Sequence, residues 1–183
     1  MAEVRLRPIR ISDAERCFRW VSHPEVSRYL GFLQPARTLE QERSWIASIL
    51  SDPQHQRAFV IENEREGEIG TCGLRAMDRQ EGTALLGIMI GDPRLWGRGY
   101  GTAATNALLQ YAFEELGLRE VRLSCHAENE RAIRCYERVG FELRPRSERQ
   151  SEPHRDQVSM AIGCERWRAI NCADTASRPE PRS

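Results

Sequence analysis

The sequence predicts an α/β domain in which one mixed sheet of about seven strands carries helices on both faces. Three observations predict it. The chain has 183 residues, the size of one domain, and at that size folding buries about 70% of the unfolded surface. It is 40% hydrophobic and 30% charged, too apolar for a disordered chain and too charged for a membrane-embedded one. Its periodicities run strand, two helices, three strands, helix, strand, helix, two strands, an order that alternates layers around one sheet. The domain is expected to span residues 1–168. The polar, Pro-containing stretch 169–183 reads as a frayed tail.

Each element has its own signal. Val4 to Ile9 alternates apolar and polar residues, the pattern of a half-buried strand. Ser12-Asp13 offers a cap for a helix to about Val21, with Ala14, Cys17, Phe18 and Val21 on one face, ended by His23-Pro24. Thr38 and Gln41 form a capping-box pair for a helix whose face is Trp45, Ile46, Ile49 and Leu50, stopped at Asp52-Pro53. Arg57–Glu62 and Glu68–Met77 flank the charged tip Asn63-Glu64-Arg65-Glu66-Gly67, as in a hairpin. Thr83–Ile90 is nearly all apolar and suits a central strand. From Gly99 to Leu116, Ala104, Leu108, Tyr111 and Ala112 fall at helical spacing, and Gly117 is the stop. Glu120–His126 is a strand. Asn129 caps a short helix with Ile133, Tyr136 and Val139, closed by Gly140. Phe141–Arg146 and Asp156–Cys164 complete the sheet.

Composition narrows the function. The 27 basic residues balance 27 acidic ones, so bulk charge gives no support to nucleic-acid binding. All the basic residues are Arg, which removes Schiff-base and P-loop lysine chemistry. Six cysteines and four histidines are scattered without zinc spacing, and no metal is expected. No apolar run is long enough to span a bilayer and no signal-peptide core opens the chain, so the reading is a cytoplasmic protein with reduced thiols.

The strongest local motif is Trp96-Gly97-Arg98-Gly99-Tyr100-Gly101-Thr102, between an apolar strand and a patterned helix. Glycines at alternate positions allow close approach to the main chain, and a helix amino terminus adds free N–H groups, so the loop suits a diphosphate. The alternative is a tight turn without a ligand. Gly99-x-Gly101-x-x-Ala104 also matches a dinucleotide loop, the basis for an oxidoreductase alternative. That reading is weakened by the interposed Gly91-Asp92-Pro93-Arg94-Leu95 and by a following strand that ends without the ribose-binding acid. Downstream, Asn129 and Tyr136 are seven residues apart, which places an amide and a phenol on one helix face about 10 Å apart along the axis. Singly they read as a helix cap and a core aromatic.

With these motifs the chain resembles the GNAT superfamily of acyl-CoA-dependent N-acetyltransferases, in its RimJ/RimL-like branch. The resemblance runs from about Val4 to Trp167 and rests on Leu86–Pro93, Trp96–Thr102 and Asn129–Phe141. It implies a mostly antiparallel sheet and acetyl-CoA as acyl donor. Met89, Ile90 and Gly91 would offer main-chain groups to the pantetheine arm. Gly97, Arg98, Gly99, Tyr100, Gly101 and Thr102 would wrap the diphosphate, Asn129 would hold the arm again, and Tyr136 would protonate the departing thiolate. The chain departs from the family pattern with Trp96 at the Gln/Arg position, Ala132 where Ser is common and Leu85 where many members place a glutamate base.

The implied reaction is direct attack of an amine on a thioester, with backbone N–H groups near Met89 and Ile90 serving the oxyanion. The base is open between His126, Glu128 and water. The acceptor, a protein amino terminus, a polyamine or a small amine or antibiotic, is expected between Ser22–Thr38 and Ser147–Arg155, with Tyr29, Phe32 and Trp45 as candidate linings. A non-catalytic acyl-CoA sensor is the other alternative. No nucleic-acid or membrane partner is expected, and the protein is read as a monomer or homodimer.

Overall fold

The computed structural model describes residues 2–30, 38–145 and 157–176. Seven strands form one sheet in the order β1-β2-β3-β4-β5-β7-β6, with β1 Arg5–Pro8, β2 Arg57–Asn63, β3 Gly67–Asp78, β4 Thr83–Ile90, β5 Glu120–His126, β6 Glu142–Leu143 and β7 Gln157–Gly163. All neighbours are antiparallel except β4 and β5. That parallel pair holds register only over Thr83, Ala84 and Leu85 against Glu120, Val121 and Arg122. Beyond Leu85 the two strands have no ladder between them, and the sheet is split at its middle.

Helices cover both faces. α1 (Ala14–Val21) and α3 (Leu39–Ser51) close one face around Ile9, Ala14, Cys17, Ile46 and Val60. On the other face, α4 (Tyr100–Gln110) and α5 (Glu130–Val139) bury Ala104, Leu108, Tyr136 and Val139 with Ile61, Leu74, Leu86 and Leu123. Three local features differ from expectation. Pro24 breaks α1 but also opens a one-turn helix α2, Pro24–Ser27, because proline fits the first helical position and the His23 ring accepts from Glu25 N–H. α4 passes into a π-helical turn, Tyr111–Glu115, before Gly117 takes φ +66°. And the chain is helical beyond Arg168, in α6, Cys164–Ala176. That helix is anchored by Trp167 against Phe113 and by Arg166 Nε donating 2.8 Å to Gly140 O. Polar composition alone concealed those anchors.

Candidate active site

The split in the sheet opens a cavity of about 660 Å³, a volume typical of small-molecule sites. Its walls come from β4, β5, the glycine loop, α3 and α5. Ladder geometry decides which main-chain groups face it. Gly91 N–H donates 2.8 Å to Ile69 O, so Gly91 forms a hydrogen-bonded pair with β3, as does Met89, two residues back and opposite Thr71. Ile88 and Ile90 therefore turn their main-chain groups the other way, into the split. Ile90 O already accepts the Trp96 indole N–H at 3.0 Å. Of the three residues expected to meet a pantetheine arm, Met89 and Ile90 line the cavity, Ile90 with its main-chain N–H turned into the split, and Ile88 joins them. Gly91 does not line the cavity. It is glycine because the Trp20 ring occupies the space of a side chain, 2.1 Å from an ideal Cβ. Two-residue alternation along the strand was the signal that could have separated Ile88 from Met89.

In the loop, Gly97 and Gly99 take φ +75° and +88°, which favours glycine at both. Gly99 is also the N-cap of α4, so the first amides of that helix point out of the loop. Gly97, Gly99, Gly101 and Thr102 line the cavity. Arg98 instead reaches Glu66, at 3.3 Å, and neither it nor Tyr100 is part of the lining. Gly101 has no positive φ. A Cβ there would lie 3.5 Å from Cys135 Sγ, an ordinary contact, so its smallness matters for access and not for backbone freedom. The Arg131 guanidinium stacks 3.5 Å above Trp96, and burial lowers its pKa.

Asn129 caps α5, its Oδ1 accepting from Ala132 N–H at 3.2 Å, which leaves the amide nitrogen as its donor toward the cavity. One face on, Tyr136 is 8% exposed, edge-on to Phe141, and borders the same cavity. Burial, then the neighbouring Cys125 and Cys135, raises the Tyr136 pKa well above that of a free phenol. The same burial pushes Cys125 up to about 11. The surroundings that hold Tyr136 protonated therefore also make a local thiolate a stronger base.

His126 lines the cavity, with Tyr29 edge-on at 6.4 Å between ring centres. Glu128 does not. It is exposed and reaches Arg28 at 3.8 Å. Trp45 and Tyr29 are in the lining as expected, whereas Phe32 and Ser147–Arg155 lie outside the described residues. Glu42, 1% exposed on α3, and Gln157, at the start of β7, were not singled out in the sequence, yet both border the cavity. The lone acid on an otherwise apolar helical face was the signal for Glu42.

An open sheet that parts beside a glycine-capped helix is the architecture of a coenzyme A-dependent acyltransferase. Residues 3–142 match the family described as "Acetyltransferase (GNAT) domain", and the chain belongs to that family. It is 31% identical over 140 residues to the uncharacterized N-acetyltransferase p20 of Bacillus licheniformis, covering 75% of this chain and 78% of that one. It is 29% identical to the spermidine N(1)-acetyltransferase of Escherichia coli K12, over 76% and 73% of the two chains. The fold superimposes on spermidine N-acetyltransferase from Vibrio cholerae in complex with CoA and spermine with a TM-score of 0.79, covering 90% and 97% of the chains at 22% identity. The chain is accordingly an N-acetyltransferase, with acetyl-CoA as donor and an amine as acceptor. No helix among the described residues is long and apolar enough to cross a membrane.

Proposed function

We propose that the chain, as a RimJ/RimL-like cytoplasmic enzyme, transfers acetyl from acetyl-CoA to a primary amine by direct attack within a ternary complex. The observation that carries this reading is the split between β4 and β5, bordered at once by the glycine loop and Tyr136. The fit to the donor rests on residues present. Gly97 has open space where a Cβ would be, the helix amides after Gly99 suit a diphosphate, and Ile88 and Ile90 turn main-chain groups toward an extended arm. Gly97, Gly99, Gly101 and Thr102 would hold the phosphates, and Ile88, Ile90 and Asn129 the arm. When bound, acetyl-CoA supplies an activated acetyl thioester.

The remaining chemistry belongs to the protein. Ile88 and Ile90 N–H groups would stabilise charge on the thioester oxygen, a contribution of a few kcal/mol when the donors are fixed in advance. Tyr136 Oη holds the proton needed by the leaving sulfur. A phenol near 10 is a weaker acid than a thiol near 8.5 in water. Burial raises Tyr136 further, and a thiolate released into the same apolar surroundings would likewise become a stronger base. His126, which lines the cavity, or water would receive the amine's proton. Acetyl-CoA at a hundredfold excess over its Kd is expected to stabilise the fold by about 2.7 kcal/mol, read as a rise in Tm, while NAD gives none. An unchanged Tm at millimolar acetyl-CoA would remove the donor assignment. Thiol release with an amine panel separates the transferase from a silent acyl-CoA sensor.

A further inference from the structure

A side-chain contact crosses the mouth of the split. Trp96 follows β4 and opens the glycine loop, and its indole N–H is fixed on the oxygen of Ile90, the last residue of that strand. Arg131 comes from the other side, from the first turn of α5, which the Asn129 cap sets in place. Its guanidinium lies 3.5 Å from the centre of the Trp96 ring, over its face. Ile90, Trp96 and Arg131 therefore form a chain of contacts from one half-sheet to the helix that follows the other. All three line the cavity.

Stacking leaves the charge of Arg131 unanswered. A guanidinium presents five N–H donors in one plane, and an aromatic ring takes the face of that plane, not its edge. Neighbouring arginines have carboxylates: Arg94 has Asp92, Arg98 has Glu66, and Arg134 has Glu130. Arg131 has no carboxylate and no hydrogen-bond acceptor among the described residues. Burial lowers its pKa, and smaller through-space attractions from Tyr29, Glu25 and Cys135 oppose that. A half-buried guanidinium without an acceptor is costly to hold, and an anion entering the cavity removes that cost. The stack also sets where such an anion would sit. It ties the cation to the residue before Gly97, where the loop has open space and leads into the first amides of α4.

We infer that Arg131 is a donor-binding residue, its guanidinium held on Trp96 so as to meet the diphosphate of acetyl-CoA opposite the amides of the glycine loop. The inference rests on the donor reading above and adds a residue from the far side of the split. A guanidinium fork and a phosphate match through paired, charge-assisted N–H bonds, so the donor would join the two half-sheets through its phosphates.

The test is calorimetry of CoA and of dephospho-CoA into the parent and its variants. Dephospho-CoA keeps the diphosphate and lacks the ribose 3′-phosphate, so it separates the two phosphate groups that an arginine could meet. Arg131→Gln is expected to raise the Kd of both ligands by about tenfold. Arg131→Lys keeps the charge without the planar stack and is expected to bind both more tightly than Arg131→Gln. A loss confined to CoA would move Arg131 to the 3′-phosphate and overturn the diphosphate assignment. Equal binding by the Gln and Lys variants would reduce Arg131 to a prop for Trp96. A Kd unchanged in Arg131→Gln overturns its role and leaves the donor reading standing. Binding of neither ligand by the parent overturns the donor reading and this one with it.

Discussion

At the scale of single residues, Tyr136 carries the sharpest expectation. Its ring packs against Phe141 and the core of α5, so Tyr136→Phe keeps the packing and removes only the hydroxyl. With Oη as the acid, kcat falls about a hundredfold while the acetyl-CoA Kd stays near that of the parent, since general acid catalysis contributes 10²–10⁴-fold. Single-turnover kinetics and a separate binding titration check this. A raised Kd at constant kcat would make the tyrosine a binding group. Asn129 shows how one side chain serves two ends. Its oxygen fixes the first turn of α5, and the residue borders the cavity from a position that the cap itself defines.

At the scale of elements, the glycine loop and the helix it starts act as a unit. Gly97 and Gly99 shape the turn through positive φ, whereas Gly101 sits in the first turn of α4 with ordinary backbone and room for a Cβ. Gly101→Val is therefore expected to keep the melting temperature of the free protein within the change of about 1 kcal/mol set by helix propensity. The branched side chain would obstruct the phosphate site, so the acetyl-CoA-dependent rise in Tm is lost. Normal binding by this variant would reduce the loop to a turn. The seven strands and the helices α1, α3, α4 and α5 were legible because each carries a hydrophobic period with its own stop. Thr38 and Gln41, for example, make the reciprocal bonds of a capping box, at 3.2 and 2.8 Å. Less legible was anything set by partners distant in sequence. Met89 and Gly91 are committed to β3 by register, Arg98 to Glu66, and α6 to the core by Trp167. No local pattern encodes those pairings.

At the scale of the whole molecule, an ion network ties the first strand to the rest of its half of the sheet. Arg7 on β1 donates to Asp13 at 3.0 Å, to Glu62 on β2 at 2.7 Å and to Glu68 on β3 at 2.6 Å, and Arg16 on α1 completes it on Glu68 at 2.5 Å. Burial alone would raise the Asp13 pKa, but the bonds from Arg7 and from Arg10 N–H outweigh it and hold the carboxyl below its usual value. A folded-state pKa below the unfolded one contributes stability above about pH 4, lost as pH falls through the folded value. Asp13→Asn is expected to destabilise by about 2 kcal/mol at neutral pH, measured by urea unfolding, with the difference shrinking progressively below pH 4. A difference independent of pH would place the effect in packing. The split at β4 and β5 has a mechanical consequence on this scale. The two half-sheets meet as a wedge whose apex is the pair Leu85 and Arg122, five residues from Ile90. At about 3.3 Å per residue, Ile90 stands roughly 16 Å from that apex, so turning one half by about 5° widens the mouth by about 1.4 Å. A small change in the angle between the half-sheets would thus be levered into a larger change in the width of the slot at Ile90.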